Sequence, residues 1–264
     1  MLEPIDPPSY NDVLGTRESK NQKIYDLIQK YEIDPLFSEK LEILSDYEIV
    51  LLLDDSGSMN TPLNDTHHST RWDELKYVVK IVISVATIFD EDGIDIHFLN
   101  RESHFNVKSL SEVDNALDGF PYGTTPLTQK FNSILNQFED SVKPVLIVIA
   151  TDGVPNNLNS FTNTLKNKNH NKFYVSFLAC SDQEFDIGYL NDLDKSIPNV
   201  DVLDDYNSEL KEVQNAQGKE FRYTFGDHIV RLLLGPLCPE LDELDECSFN
   251  QDIYNKTRCN CIIL

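Results

Sequence analysis

Short runs of valine, isoleucine and leucine, bounded by turn residues and separated by helix-length stretches, constrain this chain more than any other feature. They fall at Glu48–Leu53, Asp95–Asn100, Val145–Ala150, Phe173–Ala179 and Val200–Leu203. Runs this short, with so little polar alternation, suit strands buried on both faces, the condition of a parallel sheet covered by helices. Helical patterns lie between them at 70–89, 110–117, 126–138, 158–168 and 183–195, with another over 207–233 that Gly218 breaks. Such alternation predicts an α/β fold: a doubly wound, mostly parallel, Rossmann-like sheet with helices on both faces and right-handed crossovers. His104–Val107 adds a short edge strand. The helix after residue 70 opens with Thr70 three residues before Asp73, a pair like a capping box. Its apolar residues (Trp72, Leu75, Tyr77, Val78, Val79, Ile81, Val82, Ile83, Val85) cover more than one face, which predicts a helix sunk deep beside the sheet.

The flanks read differently. Residues 1–16 are proline-broken and predict a flexible lead-in, and 17–32 a short amphipathic helix that Asp34-Pro35 ends. The expected organisation is an N-terminal segment at 1–45, one domain at 46–235 and an acidic, mostly extended tail at 236–264. With 264 residues and 40% hydrophobic content there is material for one well-filled core. The balance of 22 Lys+Arg against 45 Asp+Glu, a net charge of −23, excludes nucleic acid as a partner, since no basic stripe is left to neutralise phosphates. It also argues against adhesion of the folded surface to anionic lipid. The start MLEPIDPPSY lacks the pattern of a secretory signal, and no apolar run reaches the roughly 18 residues of a spanning helix. Five dispersed cysteines predict free thiols in the cytoplasm, with Cys180 a small buried hydrophobe at a strand end.

Three strand-end loops carry the chemistry. The first strand runs into Asp54-Asp55-Ser56-Gly57-Ser58-Met59, and the others are Gly123-Thr124-Thr125-Pro126-Leu127 and Ala150-Thr151-Asp152-Gly153. Ligands of open α/β sheets bind beyond the carboxyl ends of strands, near the point where strand order reverses. Oxygens at i, i+2 and i+4 with a glycine between them can curl round a small hard cation, and hydroxyls with carboxylates are what Mg²⁺ accepts.

The D-x-S-x-S of Asp54, Ser56 and Ser58, the Thr-Pro-Leu loop and the T-D-G loop, in that order, resemble the von Willebrand factor type A domain and its metal-ion-dependent adhesion site. The resemblance covers about 46–235 and takes in Phe89-Asp90-Glu91-Asp92-Gly93-Ile94-Asp95-Ile96-His97-Phe98-Leu99-Asn100, similar to small intracellular members of the family. It implies that Ser56, Ser58 and Thr125 offer hydroxyl oxygens to Mg²⁺ or Mn²⁺, and that Asp54 and Asp152 hold the ion directly or through water. Thr124 stands where many relatives have a second glycine; Thr125, directly before the proline, is taken as the ligand. Neutral hydroxyls nearest the ion leave it net positive, so that a protein partner's Asp or Glu can complete its coordination.

No enzyme is expected. Asp54-Asp55 could imitate the nucleophile of haloacid-dehalogenase-type phosphatases, but Ser56 stands where a second acid is needed, and no P-loop or G-x-S-x-G elbow appears. His67-His68 reads as a polar loop, for no Cys or His lies at partner spacing for zinc. The sequence ends Cys261-Ile262-Ile263-Leu264, the prenylation pattern that favours geranylgeranyl on Cys261, with Cys259 available for palmitoylation. That predicts a protein held by lipid at the cytosolic face of a membrane. Near the start, Pro7-Pro8-Ser9-Tyr10 matches the P-P-x-Y ligand of WW domains, a class linked to HECT-type ubiquitin ligases. A WW-domain adaptor is therefore the alternative to a metal-dependent protein-binding module.

Overall fold

A computed structural model of the chain describes residues 10–63, 69–181, 184–242 and 244. Its centre is a sheet of β1 (Glu48–Leu53), β2 (Ile94–Phe98), β3 (His104–Val107), β4 (Val145–Thr151), β5 (Phe173–Ala179) and β6 (Val200–Leu203). The strand order is β3-β2-β1-β4-β5-β6. Every neighbouring pair is parallel except β2 and β3, so the expected doubly wound, mostly parallel sheet is the one observed. The helices are α1 (Tyr10–Tyr31), α2 (Pro35–Ser38), α3 (Arg71–Ala86), α4 (Leu110–Ala116), α5 (Leu127–Gln137), α6 (Leu158–Asn167), α7 (Glu184–Ser196), α8 (Tyr206–Gln217), α9 (Phe225–Leu234) and α10 (Pro239–Asp242).

Alternate residues of each strand point to opposite faces, and the core divides accordingly. Ile49, Leu51 and Leu53 of β1 join Leu75, Val79, Val82, Ile229 and Leu233 of α3 and α9. Val50 and Leu52 join Phe131 of α5, Phe161 of α6 and Leu190 of α7 on the other side. Helix α3 buries ten of its sixteen residues over a wide face, under an N-cap in which the Thr70 side chain accepts the Asp73 amide, but Tyr77 of its apolar pattern lies on the exposed side. After β1 the chain fills the β2–β3 side and then returns to β4 on the opposite side of β1. The order of strands therefore reverses between β1 and β4, and the crevice at their carboxyl ends is where a ligand has room.

Several boundaries differ from the sequence reading. Strand β2 ends at Phe98 rather than Asn100, because the Asn100 amide turns away to donate to Asp55 Oδ1 at 2.8 Å. Helix α1 begins at Tyr10, not residue 17. Its Leu27, and Ile33, Phe37, Leu41 and Leu44 after it, are buried in the core, so the stretch before residue 45 is a packed layer and not only a lead-in. Gly226 of α9 has no room for a side chain, since a Cβ there would stand 2.2 Å from the Tyr31 carbonyl oxygen. The start of the tail also folds back: Pro236, Cys238, Leu241 and Leu244 are buried, where an extended chain was expected. Helix α8 ends at Gly218 (φ 106°) as anticipated, but the chain resumes helical form only at Phe225. Cys180 is buried as expected, and burial raises its thiol well above the usual range. Among the described residues no helix is long and apolar enough to cross a membrane.

Candidate metal centre at the switch point

The end of β1 hands the chain to a loop whose side chains are almost entirely enclosed. Asp54, Asp55 and Ser56 are buried, as are Thr151 and Asp152 at the end of β4. Asp54 organises the first turn: its Oδ1 accepts the Ser56 amide at 2.9 Å and its Oδ2 the Thr151 hydroxyl at 2.7 Å. The Ser56 and Ser58 hydroxyl oxygens lie 3.0 Å apart, and Ser58 Oγ donates to Asp152 Oδ1 at 2.8 Å. These separations bear on fit. With Mg²⁺–oxygen distances of about 2.0–2.1 Å, adjacent ligands of an octahedron stand about 2.9–3.0 Å apart. The Ser56–Ser58 and Ser58–Asp152 pairs thus already stand at octahedral-edge spacing, so these three donors suit Mg²⁺ in their chemistry and in both of those separations.

Charge at the site is partly balanced by a residue the sequence reading passed over. Arg71, the first residue of α3 and buried, donates from Nη1 to Asp152 Oδ2 and from Nη2 to Ser181 Oγ, each at 2.8 Å. Asp152 is therefore held by Arg71 on one oxygen and presents the other to Ser58. Among the described residues, none forms an ion pair with Asp54. Burial pushes its carboxyl up to about 6, against the hydrogen bonds from Ser56 and Thr151, which pull it down. A buried carboxylate that lacks a counter-charge gains from a cation placed beside it.

The third loop is tied on through asparagines. Gly57 N donates to Gly123 O at 3.2 Å and Tyr122 N to Asp55 O at 2.7 Å. Asn100 Nδ2 bridges Asp55 Oδ1 (3.1 Å) to Thr124 O (2.9 Å). Gly123, at φ 93°, passes so close to Asn100 that a Cβ would stand 2.3 Å from its Oδ1, which makes glycine the residue this turn requires. Asn156 pairs with the Thr125 backbone at 3.2 and 3.0 Å and donates to Thr124 Oγ1 at 3.4 Å. Of the five residues singled out in the sequence, Ser56, Ser58 and Asp152 are joined by direct bonds, and Asp54 through the Ser56 amide. Thr125 is brought to the same end by its loop, but among the described residues its hydroxyl bonds to none of the four.

The rim is apolar in part. Phe120 is 85% exposed, Tyr122 57% and Val154 42%. Arg101 fixes the first of these, donating to the Asp118 and Phe120 carbonyls at 2.6 and 2.7 Å while its guanidinium lies 5.0 Å from the Trp72 ring centre. The cationic side chains at this end, Arg71 and Arg101, are both engaged by carboxylates.

Other sequence candidates fall elsewhere. Pro7, Pro8, His67, His68, Cys259 and Cys261 lie outside the described residues. Tyr10 opens α1, so at that residue the backbone is helical, not the extended form a WW ligand takes.

No family model matches the chain, and no curated protein matches it. Among solved structures, a crystal structure of manganese-loaded Plasmodium vivax TRAP protein is similar over 62% of this chain and 71% of that one, at 16% identity and a TM-score of 0.44. By its own topology, the chain is a doubly wound α/β protein whose hydroxyl and carboxylate cluster lies where the strand order turns.

Proposed function

We propose that this chain is a non-enzymatic, Mg²⁺- or Mn²⁺-dependent protein-binding module of the von Willebrand A type, held at the cytosolic face of a membrane by a lipid on Cys261. The observation that carries the reading is the chain of oxygens from Ser56 through Ser58 to Asp152, at 3.0 and 2.8 Å, directly at the switch point. Ser56, Ser58 and Thr125 would offer neutral hydroxyls, Asp54 and Asp152 carboxylates. The ion, when bound, supplies a positive coordination position that an external carboxylate can take. Arg71 holds the Asp152 carboxylate in place and offsets its charge, so the shell keeps that position attractive to an anion on an otherwise acidic protein. Phe120, Tyr122 and Val154 beside it favour a partner whose Asp or Glu is flanked by apolar side chains.

The test is capture of interacting proteins by wild type and by Asp54→Asn, each in Mg²⁺ and in EDTA. The module predicts a set of partners present only for wild type in Mg²⁺. Partners indifferent to both changes contradict it. The tether rests on Cys261-Ile262-Ile263-Leu264 and is tested separately: Cys261→Ser should move the protein from the membrane to the soluble fraction, whereas equal membrane fractions for both forms refute lipidation.

A further inference from the structure

The other end of β1 carries a second group of carboxylates. Glu48 opens the strand, half-buried, while Asp90 (1% exposed) and exposed Asp92 lie in the turn between α3 and β2. One oxygen from each lies within 4.8 Å of the other two. Glu48 and Asp54 are separated by the length of β1, about 20 Å at roughly 3.3 Å per residue, so this group is distinct from the switch-point cluster. Asp90 Oδ2 accepts the Ile49 amide at 3.1 Å and so pins the turn to the strand. Its Oδ1 is wholly buried and, among the described residues, accepts no hydrogen bond. Instead the Asp90 and Asp92 carboxyls each bring an oxygen within 4.8 Å of the other. Two carboxylates sharing a site favour a proton or a cation between them.

We infer that Glu48, Asp90 and Asp92 form a divalent-cation site at the amino end of β1, suited to Ca²⁺. Ca²⁺ holds its oxygens at about 2.3–2.6 Å, so two ligands of one ion stand up to about 5 Å apart, a span that accommodates all three carboxyls. Exposed Asp92 leaves the outer side open to water, and Ca²⁺ tolerates such irregular shells better than Mg²⁺. Lys108 and Lys143 stand near enough to act on Asp92, and they oppose binding without closing the site. With no cation present, burial and the Asp92 carboxyl raise Asp90 to about 7, so a proton is the competing occupant. A bound ion would lock the α3–β2 turn to the start of the central strand.

Calorimetric titration with CaCl₂ tests this in the Asp54→Asn chain, where the switch-point cluster is disabled. One Ca²⁺ should bind and raise the melting temperature. Adding Asp92→Asn at its exposed position, or the near-isosteric Glu48→Gln, should weaken that affinity at least tenfold. No Ca²⁺ uptake at millimolar concentration by the folded Asp54→Asn chain overturns the site. So does affinity unchanged by Asp92→Asn and Glu48→Gln together. A third contrary result is an Asp90→Asn chain that gains stability while the parent ignores Ca²⁺, which would identify the occupant as a shared proton.

Discussion

Arg231→Met is expected to destabilise the protein by about 3–5 kcal/mol, the cost of breaking a buried ion pair from one side. Helix α9 is buried along nearly its whole length, from Gly226 to Leu234, and Arg231 lies within it at 1% exposure. Its Nη1 donates to the carboxylate of Glu209 on α8, which is 2% exposed. Methionine fills a similar volume, so packing is largely kept, but Glu209 keeps its charge out of water and loses the guanidinium that faces it. For a chain of this size the loss corresponds to a fall in melting temperature of roughly 10 °C. Urea denaturation of wild type, Arg231→Met, Glu209→Leu and the double variant checks the origin. The double variant should regain most of the stability, because removing both charges removes the penalty. If Arg231→Met alone costs under about 1 kcal/mol, Glu209 is not dependent on it.

Asp54→Asn should separate metal affinity from fold. The amide can still accept the Ser56 N–H and meet the Thr151 hydroxyl, so the turn is preserved. Wild-type Asp54, raised to about 6 chiefly by burial, binds a proton more tightly folded than unfolded. The sign follows from linkage. The metal-free protein loses stability as pH rises from about 4 to 6, by up to about 1.4 kcal/mol per unit, and above 6 carries the cost of a buried anion. In EDTA at pH 7 the variant should therefore be at least as stable as wild type. Its Mn²⁺ affinity should be down by 100-fold or more, for the anion that attracts the ion is gone. Wild-type affinity should itself decline below pH 6, approaching tenfold per unit, as Asp54 takes its proton. A variant that binds Mn²⁺ as wild type does would remove Asp54 from the site.

Much of this molecule was legible before its structure. Strands β1 and β4 announced themselves because both their faces are buried, leaving a nearly uninterrupted run of Val, Ile and Leu in each. Helix α3 was recognisable from apolar residues on most of its sides, and Gly218 from its place in a helical pattern. The Asp54–Ser58 loop was visible because its donors are close in sequence. What escaped was held by distant partners. Arg71 reads as an ordinary surface charge until Asp152, 81 residues on, is folded against it. Asn100 spans 45 residues back to Asp55 and 24 forward to Thr124, a linkage no local pattern displays. Phe37, Leu41 and Leu44 belong to a four-residue helix and a 3₁₀ turn, too short to show a period, yet all are at most 1% exposed. The acidic composition of the tail concealed that Cys238, Leu241 and Leu244 pack into the core.

A cation gripped by hydroxyls and carboxylates from separate loops should be seen by anomalous diffraction from crystals grown in Mn²⁺. A manganese peak is expected, bonded to Ser56 Oγ and Ser58 Oγ, with Asp54, Thr125 and Asp152 around it and one position open to solvent. Full Mn²⁺ in the crystal with no peak there, and Ser56 and Ser58 still hydrogen-bonded to each other, would contradict it.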